Sequence, residues 1–278
     1  MVNEQFQLGP SEVERYLDRL ELPQGLPPTI ENLKRIQQAH LAHIPYENLD
    51  ILLGVPLSLD GAKLYDKMIV RRRGGYCFEV NGLLNWLLLA LGYRVTSYAS
   101  RFVFPGQPPQ LRRHRVLRVD FDGVSYLADA GVRNESPRYA LELAEGKVQS
   151  DGICEYRFTR DMRLGWVFWQ RKEGEDWRTV FAFEETPQYE VDFVMPNYYC
   201  ETHPQSPFID CPHLSIFPTG GHITIADHTF TVSQGDTITE RYEIETEEQF
   251  SALCREHFGL VLESFPPFGT ARQGAVRW

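Results

Sequence analysis

The sequence predicts an α+β protein in which a helical bundle is followed by antiparallel β-structure and then by a mixed α/β region. Three observations predict this class: helical periodicity over residues 1–92, short alternating strands over 93–194, and short strands with one final helix over 195–278. A chain of 278 residues exceeds one average domain. We therefore expect three domains with these boundaries.

The first region contains two helices with recognisable starts. Apolar residues recur at helical spacing over 11–22 and again over 29–42. Ser11 and Thr29 stand where N-caps are expected, because their side-chain oxygens can accept the first free backbone N–H groups. The segment from Asp60 to Val70 is expected to add another helix.

A cysteine stands where a loop containing Gly74 and Gly75 turns into the most apolar helix of the chain. One face of that helix is marked by Val80, Leu83, Leu84, Leu87, Leu88 and Leu91. Cys77 lies in the first turn, where free N–H groups and the helix dipole favour an anion and lower a thiol pKa. We therefore interpret Cys77 as a nucleophile, the alternative being a small residue of the core.

The second region consists of short strands separated by proline and glycine, as in an antiparallel barrel or sandwich. One hairpin can be worked out, because Asp122-Gly123 is typical of a two-residue type I′ turn. Its register places Val116 opposite Asp129, so that His114 and Asp129 become diagonal neighbours on one face. The other face is expected to be buried and consists of Leu117, Val119, Phe121, Val124, Tyr126 and Ala128.

The third region alternates short strands with a final helix. Strands are expected near residues 222–225, 229–232 and 241–244. Thr246 and Gln249 have capping-box spacing, and Gly259 stands where that last helix ends; the helix itself carries Phe250, Leu253, Cys254 and His257. This region is therefore predicted to be mixed α/β.

The composition excludes several classes of partner. A net charge of −10 and a pI near 5.3 argue against nucleic acid or an anionic membrane, although arginines at 71–73 and 112–118 form local basic clusters. The apolar run from Leu83 to Leu91 is too short to span a membrane, and because residues 1–10 are polar and mixed we do not expect secretion. Five cysteines without CxxC spacing indicate free thiols in a reducing cytoplasm and no metal site.

The order Cys77, His114, Asp129 resembles that of the arylamine N-acetyltransferases. The family's Arg-Gly-Gly-aromatic-Cys motif matches the five residues that end at Cys77. Its Pro-aromatic-Glu-Asn-Leu motif matches Pro45 to Leu49, and its Thr-His-Pro-x-Ser-x-Phe motif matches Thr202 to Phe208. The similarity extends over about residues 8 to 260.

The resemblance implies a helical bundle, a central antiparallel β-barrel and a C-terminal α/β lid, with a Cys-His-Asp core like that of cysteine proteases. Acetyl-CoA would acetylate Cys77, which would pass the acetyl group to the nitrogen of an arylamine, arylhydrazine or N-hydroxyarylamine with ping-pong kinetics. His114 would move protons, Asp129 would fix its tautomer, and the Cys77 backbone N–H would contribute to an oxyanion hole. Such a protein is cytoplasmic, acts on small molecules as a monomer or homodimer, and needs no metal.

The resemblance also assigns roles around this core. Residues 43–50 are expected from the sequence to form a turn, and spacing alone favours a solvated surface carboxylate for Glu47 over a partner of an arginine near Cys77. By the resemblance, Glu47 would instead form a structural ion pair with Arg73. The cofactor side would contain Gly131, Arg133, Thr202, His203 and Ser206. The acceptor pocket would contain Tyr46, Tyr76 and Val132.

The sequence departs from the family's pattern directly after Asp129. Family members continue as Val-Gly-Phe-Gly, whereas this chain has Ala130-Gly131-Val132-Arg133. Either Arg133 supplies a contact to a phosphate, which its planar fork suits, or acetyl-CoA binding is weakened. Val132 in place of the aromatic residue predicts an acceptor pocket of altered shape.

Three other functions share some of these features. Transglutaminases and papain-like peptidases have the same order of Cys, His and Asp but no reason to carry the other two motifs. Amide synthases related to the family join larger molecules. A diverged member would only bind CoA or aromatic amines, and Cys77→Ser would leave its ligand affinity nearly unchanged while abolishing turnover in an enzyme.

Overall fold

The computed structural model describes residues 6–264. Its helices are α1 (Pro10–Arg19), α2 (Ile30–His43), α3 (Leu49–Leu52), α4 (Gly61–Tyr65), α5 (Cys77–Ala90), α6 (Val194–Thr202) and α7 (Glu247–Phe258). Its strands are β1 (Tyr46–Glu47), β2 (Arg94–Phe102), β3 (His114–Phe121), β4 (Val124–Ala128), β5 (Leu141–Glu142), β6 (Gln149–Ser150), β7 (Cys154–Asp161), β8 (Gly165–Lys172), β9 (Arg178–Pro187), β10 (His213–Ile216), β11 (Gly221–Ala226), β12 (Thr229–Gln234) and β13 (Thr237–Glu243). The predicted α+β class is confirmed.

The predicted N-cap is confirmed for α2 and is wrong for α1. Thr29 caps α2, and its side chain accepts a backbone N–H of the first turn at 3.2 Å. Ser11 is not the cap of α1, because Pro10 already occupies the first helical turn, where its missing N–H costs nothing. Gly9 is the cap instead, and its N–H donates to the Glu12 carboxylate at 2.7 Å.

Helix α5 forms the centre of the molecule. An unusually large share of its residues is buried, since its sequence is apolar almost all round rather than along one stripe. One side packs on the first helices, and the opposite side packs on β3 and β2. Each fully buried leucine contributes roughly 1.5–3 kcal/mol. The start of α5, where Cys77 lies, is therefore held firmly between two layers.

The central sheet has eight antiparallel strands in the order β5-β4-β3-β2-β9-β8-β7-β6. The register predicted for its β3–β4 hairpin is confirmed: Phe121 pairs with Val124, and Leu117 pairs with Ala128. Both turn residues have positive φ, 49° at Asp122 and 78° at Gly123, as a type I′ turn requires. A two-residue turn thus fixes which side chains reach the site.

This sheet curls into a nearly closed barrel rather than a sandwich. Its first and last strands are joined by the Gln149 side chain, which accepts from the Glu142 N–H and donates to the Glu142 carbonyl, each at 2.8 Å. Glu145 forms an isolated bridge to Phe158 across the same seam. Apolar side chains fill the interior, including Tyr98, Val116, Leu127, Phe158, Phe168 and Phe181.

The predicted buried face of the hairpin is only partly correct. Leu117 and Ala128 are buried against α5, but Phe121 is half-buried and Val124 is exposed, because the turn extends beyond the helix. On the opposite face, Val116 enters the barrel core. Both faces of the β3–β4 hairpin are therefore covered near the site.

A second sheet has the strand order β1-β10-β11-β12-β13, and α7 packs on it. The predicted boundaries of α7 are confirmed, with Thr246 as N-cap and Gly259 in the left-handed conformation as C-cap. Strand β1 was not predicted, because residues 43–50 were expected to form a turn. Its Tyr46 pairs with Ser215, and a two-residue strand has no periodicity that a sequence could reveal.

Among residues 6–264, no helix has the length and apolar character needed to cross a membrane. From the sequence, the tail Phe265–Trp278 could either fold over the cofactor cleft or hang free. It lies outside the described residues.

Candidate active site

The three predicted catalytic side chains come from three different elements. Cys77 is the first residue of α5, His114 is the first residue of β3, and Asp129 directly follows β4. All three residues are buried, with exposures of 2%, 0% and 0% in that order. His114 Nε2 lies 2.7 Å from Asp129 Oδ2, which is the contact that the hairpin register predicts.

The other ring nitrogen of His114 remains available. Its Nδ1 is buried and has no hydrogen-bond partner among the described residues. The Cys77 thiol points to the neighbouring carbonyl, that of Arg113, at 3.8 Å. The thiol therefore contacts the residue directly before His114. The unpartnered Nδ1 of His114 is suited to take up the thiol proton.

Asn81 connects the nucleophile's helix with the aspartate. It lies one turn after Cys77 on the same face of α5, and its amide group donates to Asp129 Oδ1 at 2.8 Å. Its carbonyl oxygen accepts from the Ala130 N–H at 2.9 Å. Asn81 was not singled out from the sequence, although an amide four residues after the cysteine in an apolar run is a usable signal. Asn81 therefore fixes the orientation of the carboxylate towards His114.

The loop after Asp129 touches the nucleophile's backbone. The Gly131 N–H donates to Asp129 Oδ1 at 2.8 Å, which closes a tight turn. A Cβ atom at Gly131 would lie 2.9 Å from Cys77 Cα and 2.9 Å from the Asn81 amide nitrogen. Only glycine allows the loop to approach α5 this closely.

The pKa expected for Cys77 is wrong in direction. Burial raises the pKa of this thiol well above its usual value, and the nearby Cys200 and Asp129 raise it further. Arg113 and the Phe78 backbone N–H act in the opposite direction but do not outweigh burial. The position at a helix start therefore does not give a free thiolate, and ionisation requires a base that stays beside the sulfur as a counter-ion.

A network of buried ion pairs lies behind the nucleophile. Arg73 Nη2 lies 2.8 Å from Glu47 Oε1 and 2.7 Å from Asp50 Oδ1. Lys67 Nζ lies 2.8 Å from Asp50 and 2.8 Å from Glu79, whose second oxygen accepts a backbone N–H at the start of α5. Removing one partner of such a network leaves an uncompensated buried charge, which costs about 3–5 kcal/mol.

A cavity of about 200 Å³ opens beside Cys77. Its walls combine aromatic and aliphatic residues with a few polar ones: Tyr46, Cys77, Phe102, Phe104, Arg113, Gly131, Val132, Arg133, Asn134, Glu135, Pro207, Phe208 and His213. Of the residues predicted to bind cofactor or acceptor, Tyr46, Gly131, Val132 and Arg133 therefore line this cavity. His213 also lines it but was not singled out in the sequence, because only β10 brings it there.

The other predicted binding residues lie outside the cavity walls. Tyr76 is fully buried, and its hydroxyl donates to Asn197 at 2.5 Å. Thr202 is exposed at the end of α6, and the His203 ring stacks on Tyr199. Ser206 is 1% exposed and its hydroxyl bonds to the Cys200 carbonyl, so it can position the loop but not contact a ligand directly.

Across residues 6–264, no group of three His, Cys, Asp or Glu side chains is placed to hold a metal ion. The arrangement offers a thiol, a base oriented by a buried carboxylate, and an apolar cavity. These are the parts that acyl transfer through a covalent thioester needs.

Comparison with known proteins identifies relatives of this chain. Residues 29–265 match the family model described as N-acetyltransferase. An arylamine N-acetyltransferase of Mycobacterium bovis is 38% identical over 200 residues, which are 70% of this chain and 70% of that relative. A Salmonella typhimurium protein named arylamine N-acetyltransferase / N-hydroxyarylamine O-acetyltransferase is 33% identical over 252 residues, covering 88% of this chain and 87% of its own length.

Solved structures agree with these relatives. The arylamine N-acetyltransferase of Mycobacterium marinum in complex with CoA aligns with a TM-score of 0.83 at 31% identity, covering 89% of this chain and 92% of its own. A family match over most of the chain, relatives above 30% identity and this structural agreement lead to one conclusion. The chain belongs to the arylamine N-acetyltransferase family of acyltransferases.

Proposed function

We propose that the protein transfers an acetyl group from acetyl-CoA to an arylamine, arylhydrazine or N-hydroxyarylamine through a thioester on Cys77. The observation that carries this proposal is the buried His114–Asp129 pair, whose second histidine nitrogen has no hydrogen-bond partner among the described residues. The Cys77 thiol contacts the carbonyl of Arg113, the residue directly before His114. The M. marinum relative solved with CoA supports acetyl-CoA as the donor. The relatives' names support arylamine acceptors.

In the first half-reaction, His114 Nδ1 takes the Cys77 proton while the sulfur attacks the acetyl carbonyl carbon. The bond from that carbon to the CoA sulfur breaks, and His114 returns the proton to the departing thiolate. Asp129 holds His114 with Nε2 protonated and stabilises the imidazolium that forms. Burial raises the pKa of Cys77, so the thiolate exists only as an ion pair with a protonated His114.

In the second half-reaction, the amine nitrogen attacks the thioester carbonyl and gives its proton to His114 Nδ1. The carbon–sulfur bond to Cys77 breaks, and the thiolate recovers its proton from His114. Backbone N–H groups at the start of α5, including that of Cys77, would stabilise the oxyanion in both steps. CoA must leave before the acceptor enters, since both use the same cavity.

The remaining assignments are proposals of the same kind. Gly131 and Arg133 would meet the donor at the cavity mouth, Thr202 and His203 would meet its outer part, and Tyr46 and Val132 would contact the acceptor. All five cysteines, within residues 77–254, are free thiols, which supports a reducing cytoplasm as the place of action. We keep a monomer or homodimer as the prediction for the assembly.

The decisive experiment measures the intact mass of the protein after brief incubation with acetyl-CoA and no amine. We expect one added acetyl group on the wild type, none on Cys77→Ala, and loss of the group when an arylamine or hydrazide is added. Cys154→Ala is the matched control, because Cys154 is also a free thiol but lies in the barrel strand β7. It should be acetylated like the wild type.

Two results would contradict the proposal. If the wild type gains no acetyl group, the donor is not acetyl-CoA and the rival reading of a CoA or amine binder gains support. If Cys77→Ala is still acetylated, the nucleophile is another group. An acetylated Cys77 that only larger amine-bearing molecules discharge would favour the amide-synthase alternative.

A further inference from the structure

The basic cluster at residues 112–118 sends its arginines in different directions. Arg112 is exposed and pairs with a carboxylate of β9. Arg115 is buried and donates to both carboxylate oxygens of Glu190, at 2.7 Å and 2.5 Å. Arg113, which lies between them in the sequence, instead lines the cavity beside the nucleophile. One member of the cluster therefore brings its side chain to the active site.

The backbone and the side chain of Arg113 both lie close to Cys77. The Arg113 carbonyl is 3.8 Å from the Cys77 sulfur. The side chain is 5% exposed, and its Cζ lies 5.2 Å from the centre of the Phe102 ring and 5.9 Å from that of the Phe208 ring. Both rings also line the cavity. Aromatic faces attract a guanidinium, so these rings hold the charge in the cavity wall.

Arg113 keeps its charge in this buried position. Burial lowers the pKa of the guanidinium, whereas the thiols of Cys200 and Cys77 act in the opposite direction. A guanidinium loses its proton only at strongly alkaline pH, so Arg113 is positive at neutral pH. Salt screens a charge in such a place much less than it screens a charge at the surface. A permanent positive charge therefore acts on the sulfur.

The other titratable or charged side chains near the thiol do not supply such a charge before the reaction starts. They come from β1, from the residue before α5, from β3, from the loop after β4 and from α6: Tyr46, Tyr76, His114, Asp129, Arg133 and Cys200. Burial raises the pKa of both tyrosines well above its usual value and that of Cys200 to about 12, so these three groups are neutral. Asp129 disfavours a thiolate, whereas Arg113 favours it.

We propose that Arg113 is an electrostatic partner of the nucleophile, whose guanidinium stabilises the negative charge on the Cys77 sulfur in both half-reactions. The proposal rests on the proposed function and adds a residue to the same site. In the first half-reaction the charge develops as the thiol proton moves to His114 Nδ1. In the second it develops as the carbon–sulfur bond of the thioester breaks. Arg113 supplies a fixed charge at both moments, because it neither gains nor loses a proton.

The test measures how fast iodoacetamide alkylates Cys77 at each pH. This reagent is small and neutral and carries no phosphate. The thiolate displaces iodide and forms a carbon–sulfur bond, whereas the protonated thiol does not react. The midpoint of the pH profile therefore reports the ionisation of Cys77, and the plateau at high pH reports access to the sulfur. Peptide mapping separates Cys77 from the other cysteines, and Cys77→Ala gives the blank.

Arg113→Met removes the charge but keeps an unbranched side chain between Phe102 and Phe208. We expect the midpoint to rise by about one pH unit or more, so that alkylation below the midpoint is about 10-fold slower, with an unchanged plateau. Arg113→Lys keeps the charge and should have a midpoint close to that of the wild type. Arg112→Met is the matched control, because it removes the exposed charge of the preceding residue. Its midpoint should equal that of the wild type.

A second background separates an effect on the sulfur from an effect on His114, since Arg113 directly precedes the histidine. His114→Gln removes the base, and the guanidinium then has only the thiol to act on. Adding Arg113→Met in this background should again raise the midpoint by about one pH unit. If the shift disappears there, Arg113 acts through His114 as a positioning residue, and the proposal is overturned.

Other results also decide against the proposal. An equal midpoint in Arg113→Met and the wild type overturns it, and so does a full rise in Arg113→Lys. A change confined to the plateau would assign Arg113 to access. A loss confined to acetylation by acetyl-CoA, with an unchanged alkylation profile, would assign it to the donor, and either result overturns the proposal. Because alkylation needs no acetyl donor, a wild type that is never acetylated but shows the expected shifts would refute only the proposed function.

Discussion

At the scale of single residues, the site depends on a side chain that takes no part in the chemistry. Asn81 reaches from α5 to Asp129, to the Ala130 N–H and to the Arg115 carbonyl, the last at 2.7 Å. Its amide group thus holds the helix of the nucleophile and the loop of the carboxylate in one fixed geometry. A buried polar group that satisfies three partners stabilises only as long as all three remain.

We expect Asn81→Ala to lower both stability and acetylation rate. Three buried groups lose a partner, which costs roughly 2–4 kcal/mol of unfolding free energy, and Asp129 loses the donor that orients it. Denaturant unfolding and single-turnover acetylation measure the two effects. Asn85→Ala is the matched control: Asn85 is buried on the same helix but makes one long bond, 3.4 Å to Glu190. Equal losses in both variants would mean that Asn81 has no special role.

The sequence allows some residues of the site to be predicted and not others. His114 and Asp129 could be paired because a two-residue turn sets their register locally. Asn81 and His213 could not be identified as site residues, since their roles depend on contacts between distant parts of the chain. The direction of the Cys77 pKa was wrong for the same reason: helix position is visible in a sequence, but complete burial is not.

At the scale of elements, features that depend on neighbouring residues were predicted correctly from the sequence. Contacts between distant parts of the chain were not. The hairpin β3–β4, the cap at Thr29 and both ends of α7 were correct because each depends on a few neighbouring residues. Strand β1 was missed because its partner strand lies far away in the sequence. The barrel seam was missed because a side chain closes it. The division into domains at 1–92, 93–194 and 195–278 stays a prediction, and β1 shows that the first and third segments share a sheet.

The barrel seam gives a prediction at this scale. Gln149→Ala removes the two hydrogen bonds that join β6 to β5, and we expect it to cost about 1–3 kcal/mol of unfolding free energy. Hydrogen exchange of the Glu142 amide should also become faster. Gln188→Ala is the control, because its side chain bonds only to carbonyls one and two residues away. A loss no larger than that of the control would show that the barrel does not need this seam.

At the scale of the whole molecule, three histidines make stability depend on pH. Burial lowers the pKa of His40, that of His213 and that of His222 to about 3 each. The unfolded chain takes up a proton at each below the ordinary pKa of about 6.5, whereas the folded chain does not until far lower pH. The free energy of unfolding is therefore highest above pH 6.5 and falls as the pH drops.

The expected slope is about 4 kcal/mol per pH unit near pH 5, from three protons bound only by the unfolded state. Denaturant titrations between pH 4 and pH 8 measure it. His40→Gln keeps a polar partner for the Tyr16 hydroxyl but cannot titrate, so it should remove about a third of the slope. Above pH 7 the variant and the wild type should show equal slopes. An unchanged slope below pH 6 would mean that His40 is protonated in the folded protein.

Strand β1 has a consequence for how the protein is made. Tyr46 forms one wall of the cavity, and its strand partner is Ser215, which lies 169 positions later in the chain (215 − 46). A ribosome delivers residues in order, so the helices and the barrel emerge with Cys77, His114 and Asp129 already present. The wall beside them is completed only when β10 leaves the exit tunnel. A nascent chain stalled before that point would carry an intact set of reactive groups beside an open flank of apolar side chains, which is when it most needs a chaperone.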